Sequence, residues 1–127
     1  MSGINNPRAW VDKAEEDFTL AQSAIRRKKP LITGACFHAQ QCAEKYMKAL
    51  LVSRKQGFPM THDLLVLNDL CSGVGIFLEI DPKFLNTLTD YAVRTRYPGE
   101  GPSLSDAKEA MEIAKLIRKF ARNFLGI

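Results

Sequence analysis

Two arginines and two tyrosines are gathered in the stretch Tyr91-Ala92-Val93-Arg94-Thr95-Arg96-Tyr97-Pro98. Guanidinium groups make paired hydrogen bonds to phosphate oxygens, and phenol rings offer flat faces on which a base stacks. Tyr91 and Arg94 fall on one side of a helix's last turn, with Arg96 and Tyr97 just beyond it. The same residues have a structural reading, in which Arg96 and Tyr97 hold the loop against the protein and an arginine pairs with a carboxylate such as Glu44 or Asp63. A second array lies upstream, where His38, Gln41, Lys45 and Lys48 follow at steps of three or four and so form a polar line along one helical face. Gln40, Glu44 and Met47 run along a neighbouring face. That line either borders an interface or cleft or is the solvated back of a core helix.

Other chemistries lack their residues. The two histidines, His38 and His62, have no cysteine or carboxylate array at metal-ligand spacing, so neither a metal nor a cofactor is expected. No Walker or Rossmann glycine loop, His-Glu-x-x-His or Gly-x-Ser-x-Gly elbow occurs.

The elements that position these residues read as helices. Asn6-Pro7 is a cap followed by proline at the first helical position. The first helix then carries Trp10, Ala14, Phe18, Ala21 and Ile25 on one face, with Asp17 beside it as a half-buried hydrogen-bonding residue. Lys29-Pro30 ends it. Thr33-Gly34 leads into a central helix that runs to about Lys55 or Gln56, with a buried stripe of Ala35, Ala39, Cys42, Tyr46, Ala49 and Leu50. Gly57-Phe58-Pro59 breaks the chain, and Thr61 caps a third helix reaching Cys71. Residues 76–80 have strand-like composition but no second strand to pair with, so they read as loop or helix.

Asp81-Pro82 opens a fourth helix carrying Phe84, Leu85, Leu88, Tyr91 and Ala92, and the prolines and glycines of Arg96 to Pro102 end it. Ser103 with Asp106 makes a capping box for a last helix whose apolar face runs from Ala107 to Leu125. The expected fold is all-α, an up-and-down antiparallel bundle of four long helices and one short one, as a single domain over residues 1–127.

Composition agrees with a packed protein: 46% of residues are hydrophobic and 25% charged, which argues against disorder. A net charge of +4 permits phosphate-bearing partners without demanding them. Cys36, Cys42 and Cys71 read as small buried apolar residues in a reducing cytosol. No apolar leader and no run of eighteen apolar residues occurs, so a cytoplasmic protein with no membrane partner is expected.

Three stretches together resemble the HEPN domain family (higher eukaryotes and prokaryotes nucleotide-binding), in its stand-alone prokaryotic form and over essentially the whole length. They are Phe37 to Leu50, then Thr61-His62-Asp63-Leu64, then Tyr91 to Pro98. The resemblance implies a helical bundle that forms homodimers and is often partnered with a minimal nucleotidyltransferase in toxin–antitoxin pairs. It also implies a metal-independent ribonuclease in many members, whose signature is an arginine, four to six residues, then a histidine. Here Arg94 is followed at that spacing by Gly99, Glu100 and Gly101, and Arg96 by Gly101, Pro102 and Ser103; no histidine follows His62.

The sequence therefore points first to a nucleotide- or RNA-phosphate-binding module. Arg94, Arg96, Tyr97 and Tyr91 would contact the ligand, Gln41, Lys45 and Lys48 would line the site, and Glu44, His62 and Asp63 would support it. One alternative is a ribonuclease toxin with a non-standard site, borrowing His38 or His62 as its base or using Tyr97 and a lysine. Another is a protein-interaction subunit for a nucleotidyltransferase.

Overall fold

Residues 32–53 combine small side chains with long apolar ones, and the helix they form organises everything else. In the computed structural model, which describes residues 3–94 and 97–127, the helices are α1 (Pro7–Arg26), α2 (Ile32–Ser53), α3 (Leu64–Gly73), α4 (Pro82–Val93) and α5 (Leu104–Leu125). A single 3-10 turn at Gly3–Asn5 precedes them, and no strand occurs among the described residues. The all-α bundle expected from the sequence is borne out. Its helices divide into three of 20 to 22 residues and two of 10 and 12.

α2 touches each of the other four helices. Thirteen of its 22 residues are buried. Ala35, Ala39, Cys42, Ala43 and Ala49 let neighbouring backbones approach closely, while Tyr46, Met47, Leu50 and Leu51, all fully buried, fill the space between them. α1 meets this surface with Val11, Ala14, Ala21 and Ala24, and α5 with Ala107, Ala110, Ala114, Ile117 and Ala121. Complete burial of a leucine side chain is worth about 1.5–3 kcal/mol, so the leucines of α2 are major contributors to stability.

Helix ends follow local chemistry. Asn6 Oδ1 accepts from Arg8 N at 3.0 Å, and Asp81 Oδ1 from Lys83 N at 2.9 Å, each with proline at the first helical position. At α5 the capping box is complete: Ser103 Oγ accepts from Asp106 N at 3.1 Å, and Asp106 Oδ2 from Ser103 N at 2.8 Å. Ser103→Ala is expected to cost about 1 kcal/mol, lowering the midpoint of a thermal melt by about 4 °C.

Several boundaries differ from expectation. α1 stops at Arg26 because Arg27 is already extended, at ψ 152°. α2 starts at Ile32 with no side-chain cap, so Thr33 and Gly34 lie inside its first turn; Leu31 N instead donates to Ala24 O across the α1–α2 connection. α2 ends at Ser53, and Lys55 adopts a left-handed φ of 57° that closes off continuation to Gln56.

Thr61 is not the cap of α3. Asp63 Oδ1 accepts from Leu65 N at 3.0 Å, while Thr61 Oγ1 accepts from Asp63 N one step earlier. Residues 76–80 are irregular. Their alternation arises because Ile76 and Leu78 plug the core while Phe77 points out, which imitates a strand without any ladder.

Candidate functional site

Two buried carboxylates divide the polar line of α2 between them. Asp17 of α1 is 6% exposed, and its oxygens accept from His38 Nδ1 at 2.8 Å and Lys45 Nζ at 2.5 Å. The sequence places Asp17 half-buried beside the apolar face; the structure makes it the joint between α1 and α2. Glu44, 3% exposed, accepts from His62 Nδ1 at 2.7 Å and Gln40 Nε2 at 3.2 Å on Oε1, and from Lys48 Nζ at 2.9 Å on Oε2. Gln40 Nε2 also donates to the His62 carbonyl at 3.0 Å, and Gln41 Nε2 donates to Gln40 Oε1 at 2.6 Å.

Lys48 is therefore not a cation facing a ligand. Its ammonium lies 5.6 Å from the Trp10 ring centre and 5.5 Å from that of Phe58, and the two rings meet edge to face at 5.8 Å. An aromatic cage on one side and Glu44 on the other stabilise a charge that is otherwise expensive to bury. The expected lining by Lys45 and Lys48 thus resolves into two carboxylate-bound lysines, and Gln41 into a half-buried link to Gln40.

A third cluster joins α1, α2 and α5. Arg118 makes a two-pronged pair with Glu15, Nε at 2.7 Å and a terminal nitrogen at 2.8 Å. The Tyr46 hydroxyl donates to Glu15 at 2.5 Å and accepts from Arg122 at 3.3 Å. The Arg118 guanidinium beside it holds the Glu15 carboxyl below the usual carboxylate range, overcoming the opposing effect of burial. Burial, and next its bond to Glu15, push the Tyr46 phenol up to about 12. Burial also raises the Cys71 thiol to about 12 and the Cys42 thiol further still, so both stay protonated and unreactive. Arg118 and Arg122 are legible in the sequence only as basic residues near a helix C-terminus. The signal that points to this cluster is Tyr46 itself, because a phenol in a buried stripe needs a hydroxyl partner.

The Arg-Tyr segment lies at the other end of α2. Arg94 caps α4 in an extended conformation, its N–H donating to Asp90 O at 3.0 Å. Its guanidinium is 3.7 Å from Asp90, and the side chain is 59% exposed. Arg94 and Tyr91 line a cleft of about 170 Å³ with Thr33, Cys36 and Pro102. Tyr97 is exposed just past α4, at the start of a turn in which Glu100 N donates to its carbonyl. Arg96 lies outside the described residues. The pairing of Arg96 with Glu44 or Asp63 therefore also falls outside the described residues; Glu44 itself is held by Lys48, His62 and Gln40, and Asp63 caps α3. Arg94 pairs with Asp90.

Among the described residues, no group of three or more histidine, cysteine or acidic side chains is placed to hold a metal ion. No described helix is long and apolar enough to cross a membrane.

The fold is an all-α helical bundle with Arg94 at the end of α4, Tyr97 just past it, and His62 paired with the buried Glu44. The HEPN domain family matches residues 7–124, and the chain belongs to that family. It is similar to the protein TT1696 of Thermus thermophilus, known from a crystal structure, with 27% sequence identity and a TM-score of 0.72. The match covers 94% of this chain and 98% of that one, so the likeness spans the whole fold. No curated protein matches significantly.

Proposed function

We propose that this protein binds nucleotide or RNA phosphate at the Arg94 cleft, acting as a cytoplasmic homodimer in a HEPN/nucleotidyltransferase pair of toxin–antitoxin type. One observation carries the binding site: Arg94 keeps a largely exposed guanidinium at a cleft edged by Tyr91, whereas Lys45 and Lys48 are held by internal carboxylates. Arg94 supplies the phosphate contact, with Arg96 beside it in sequence. Tyr91 and Tyr97 supply faces for a base. The dimer and the nucleotidyltransferase partner rest on membership of the family.

Arg94→Ala is expected to weaken binding of single-stranded RNA about tenfold, the scale of one charge-assisted hydrogen bond. Isothermal titration calorimetry measures it, with helicity by circular dichroism as the control for folding. Unchanged affinity removes Arg94 from the site, and Arg96→Ala applies the same test to its neighbour.

A second reading, a metal-independent ribonuclease, is favoured by one feature. Both histidines have Nδ1 held by a buried carboxylate, which leaves Nε2 available to take a proton. End-labelled RNA incubated with the protein and a chelator then yields fragments that disappear in His62→Ala or His38→Ala. Intact RNA with the wild type ends this reading and leaves the binding module. If neither binding nor cleavage occurs, the nucleotidyltransferase partner becomes the function.

A further inference from the structure

Thr33, Cys36, Gln40 and Glu44 follow one another along α2 at steps of three and four, and so share one side of the helix, buried at Cys36, Gln40 and Glu44. The first two line the Arg94 cleft. The last two hold His62, through its carbonyl and its Nδ1. From Cys36 to Glu44 the axis advances about 12 Å at 1.5 Å per residue. Arg94 and His62, both with side chains more than half exposed, thus flank the two ends of this buried strip.

We infer that His62 is a second phosphate contact, active when protonated, and that the ligand is a single-stranded oligonucleotide rather than a free mononucleotide. This rests on the phosphate-binding reading above and extends it. A mononucleotide carries its phosphates in one contiguous group and cannot occupy both ends of the strip. A strand with successive phosphodiesters can.

The surroundings of His62 suit the role. Its Nδ1 is turned to Glu44, so Nε2 lies on the opposite side of the ring, on a side chain 56% exposed. Lys48 already neutralises Glu44, and the pair is closed off by the uncharged rings of Trp10 and Phe58. From α4 the uncharged Thr89 hydroxyl accepts from Leu64 N at 3.0 Å, two residues beyond His62. Asp63, the adjacent acid, spends Oδ1 on the N-terminus of α3. With the ring neutral the Glu44–Lys48–His62 cluster carries no net charge. With the ring protonated it carries one positive charge, presented through an Nε2–H donor of the kind that binds phosphate oxygens.

The test compares wild type with His62→Asn, whose side-chain amide sits where Nδ1 does and so retains a donor for Glu44 while removing Nε2 and the charge. Calorimetry uses a 2′-O-methylated hexaribonucleotide with hydroxyl ends, so that neither a titrating terminal phosphate nor cleavage intrudes, and adenosine monophosphate as the short probe. The titrations are run across the interval from about pH 8 to about pH 5. On going down through that interval, the hexamer binds wild type about tenfold more tightly, and His62→Asn loses that gain. The wild-type-to-variant affinity ratio for the mononucleotide stays at one throughout.

A variant that keeps the pH-dependent gain overturns the assignment, as does a hexamer and a mononucleotide weakened alike. His62→Gln, which offers a neutral donor near the Nε2 position, recovers part of the affinity at high pH but none of the pH dependence; a return of the pH dependence counts against His62. If wild type binds the mononucleotide in an Arg94-dependent way but the hexamer no better, the extension fails and the parent reading stands. If it binds neither, both fail.

Discussion

Glu44→Ala destabilises the protein by about 3–5 kcal/mol, a fifth or more of the roughly 5–15 kcal/mol available to a typical domain. The substitution leaves the Lys48 ammonium, on a side chain only 10% exposed, without its anion. It also frees His62 Nδ1 and one bond of the Gln40 amide. The Trp10 and Phe58 rings retain an attraction of about 1–2 kcal/mol for the cation, which does not offset the loss. Urea unfolding at neutral pH measures the effect. Adding Lys48→Met to Glu44→Ala recovers much of it, because an apolar side chain in that cage needs no counter-ion. A single variant within 1 kcal/mol of wild type would mean that Lys48 reaches water by swinging past Trp10, and that the buried pair is not what fixes His62.

The second large effect belongs to the cluster that ties α5 to α1 and α2. Glu15→Ala removes both prongs of the Arg118 pair and the acceptor of the Tyr46 hydroxyl, costing about 2 kcal/mol at neutral pH after allowance for partial exposure. The Glu15 carboxyl titrates below its ordinary value in the folded protein. Its stabilisation is therefore complete above the unfolded-state value of about 4.3 and is lost as pH falls through the lower folded-state value. Unfolding curves of wild type and Glu15→Ala, taken from about pH 7 down to about pH 2, converge on the acid side. A constant gap across that range would assign the stability to packing of the Glu15 stem rather than to its charge.

Much of the bundle was legible in order along the chain. Asn6-Pro7, Asp81-Pro82 and Ser103-Asp106 start helices where their side chains satisfy the first backbone amides, a matter of a few neighbouring residues. The apolar stripe of α2, from Ala35 to Leu50, is buried as its spacing dictates. Local geometry that competes with a cap was harder to read: Thr61 and Asp63 are both able caps two residues apart, and it is Asp63 that accepts from the first turn of α3 while Thr61 accepts from Asp63 N.

Partnerships lie beyond such reading. His38, Gln41, Lys45 and Lys48 form one polar line by periodicity, yet Asp17, 28 residues before Lys45, claims two of them, and Glu44 on the same helix claims Lys48. That Asp17 reaches His38 and Lys45 depends on how α1 is seated on α2, which the close packing of their buried alanines sets. Arg118 likewise finds Glu15 across 103 residues. The sequence by itself determined the helices, their buried faces and the arginine–tyrosine segment at the end of α4, because those follow from period and nearest neighbours. Only the tertiary structure decided that the lysines are internal counter-ions while Arg94 and the Nε2 side of His62 face outward, because a charge seeks the nearest opposite charge in space, and the fold sets that distance.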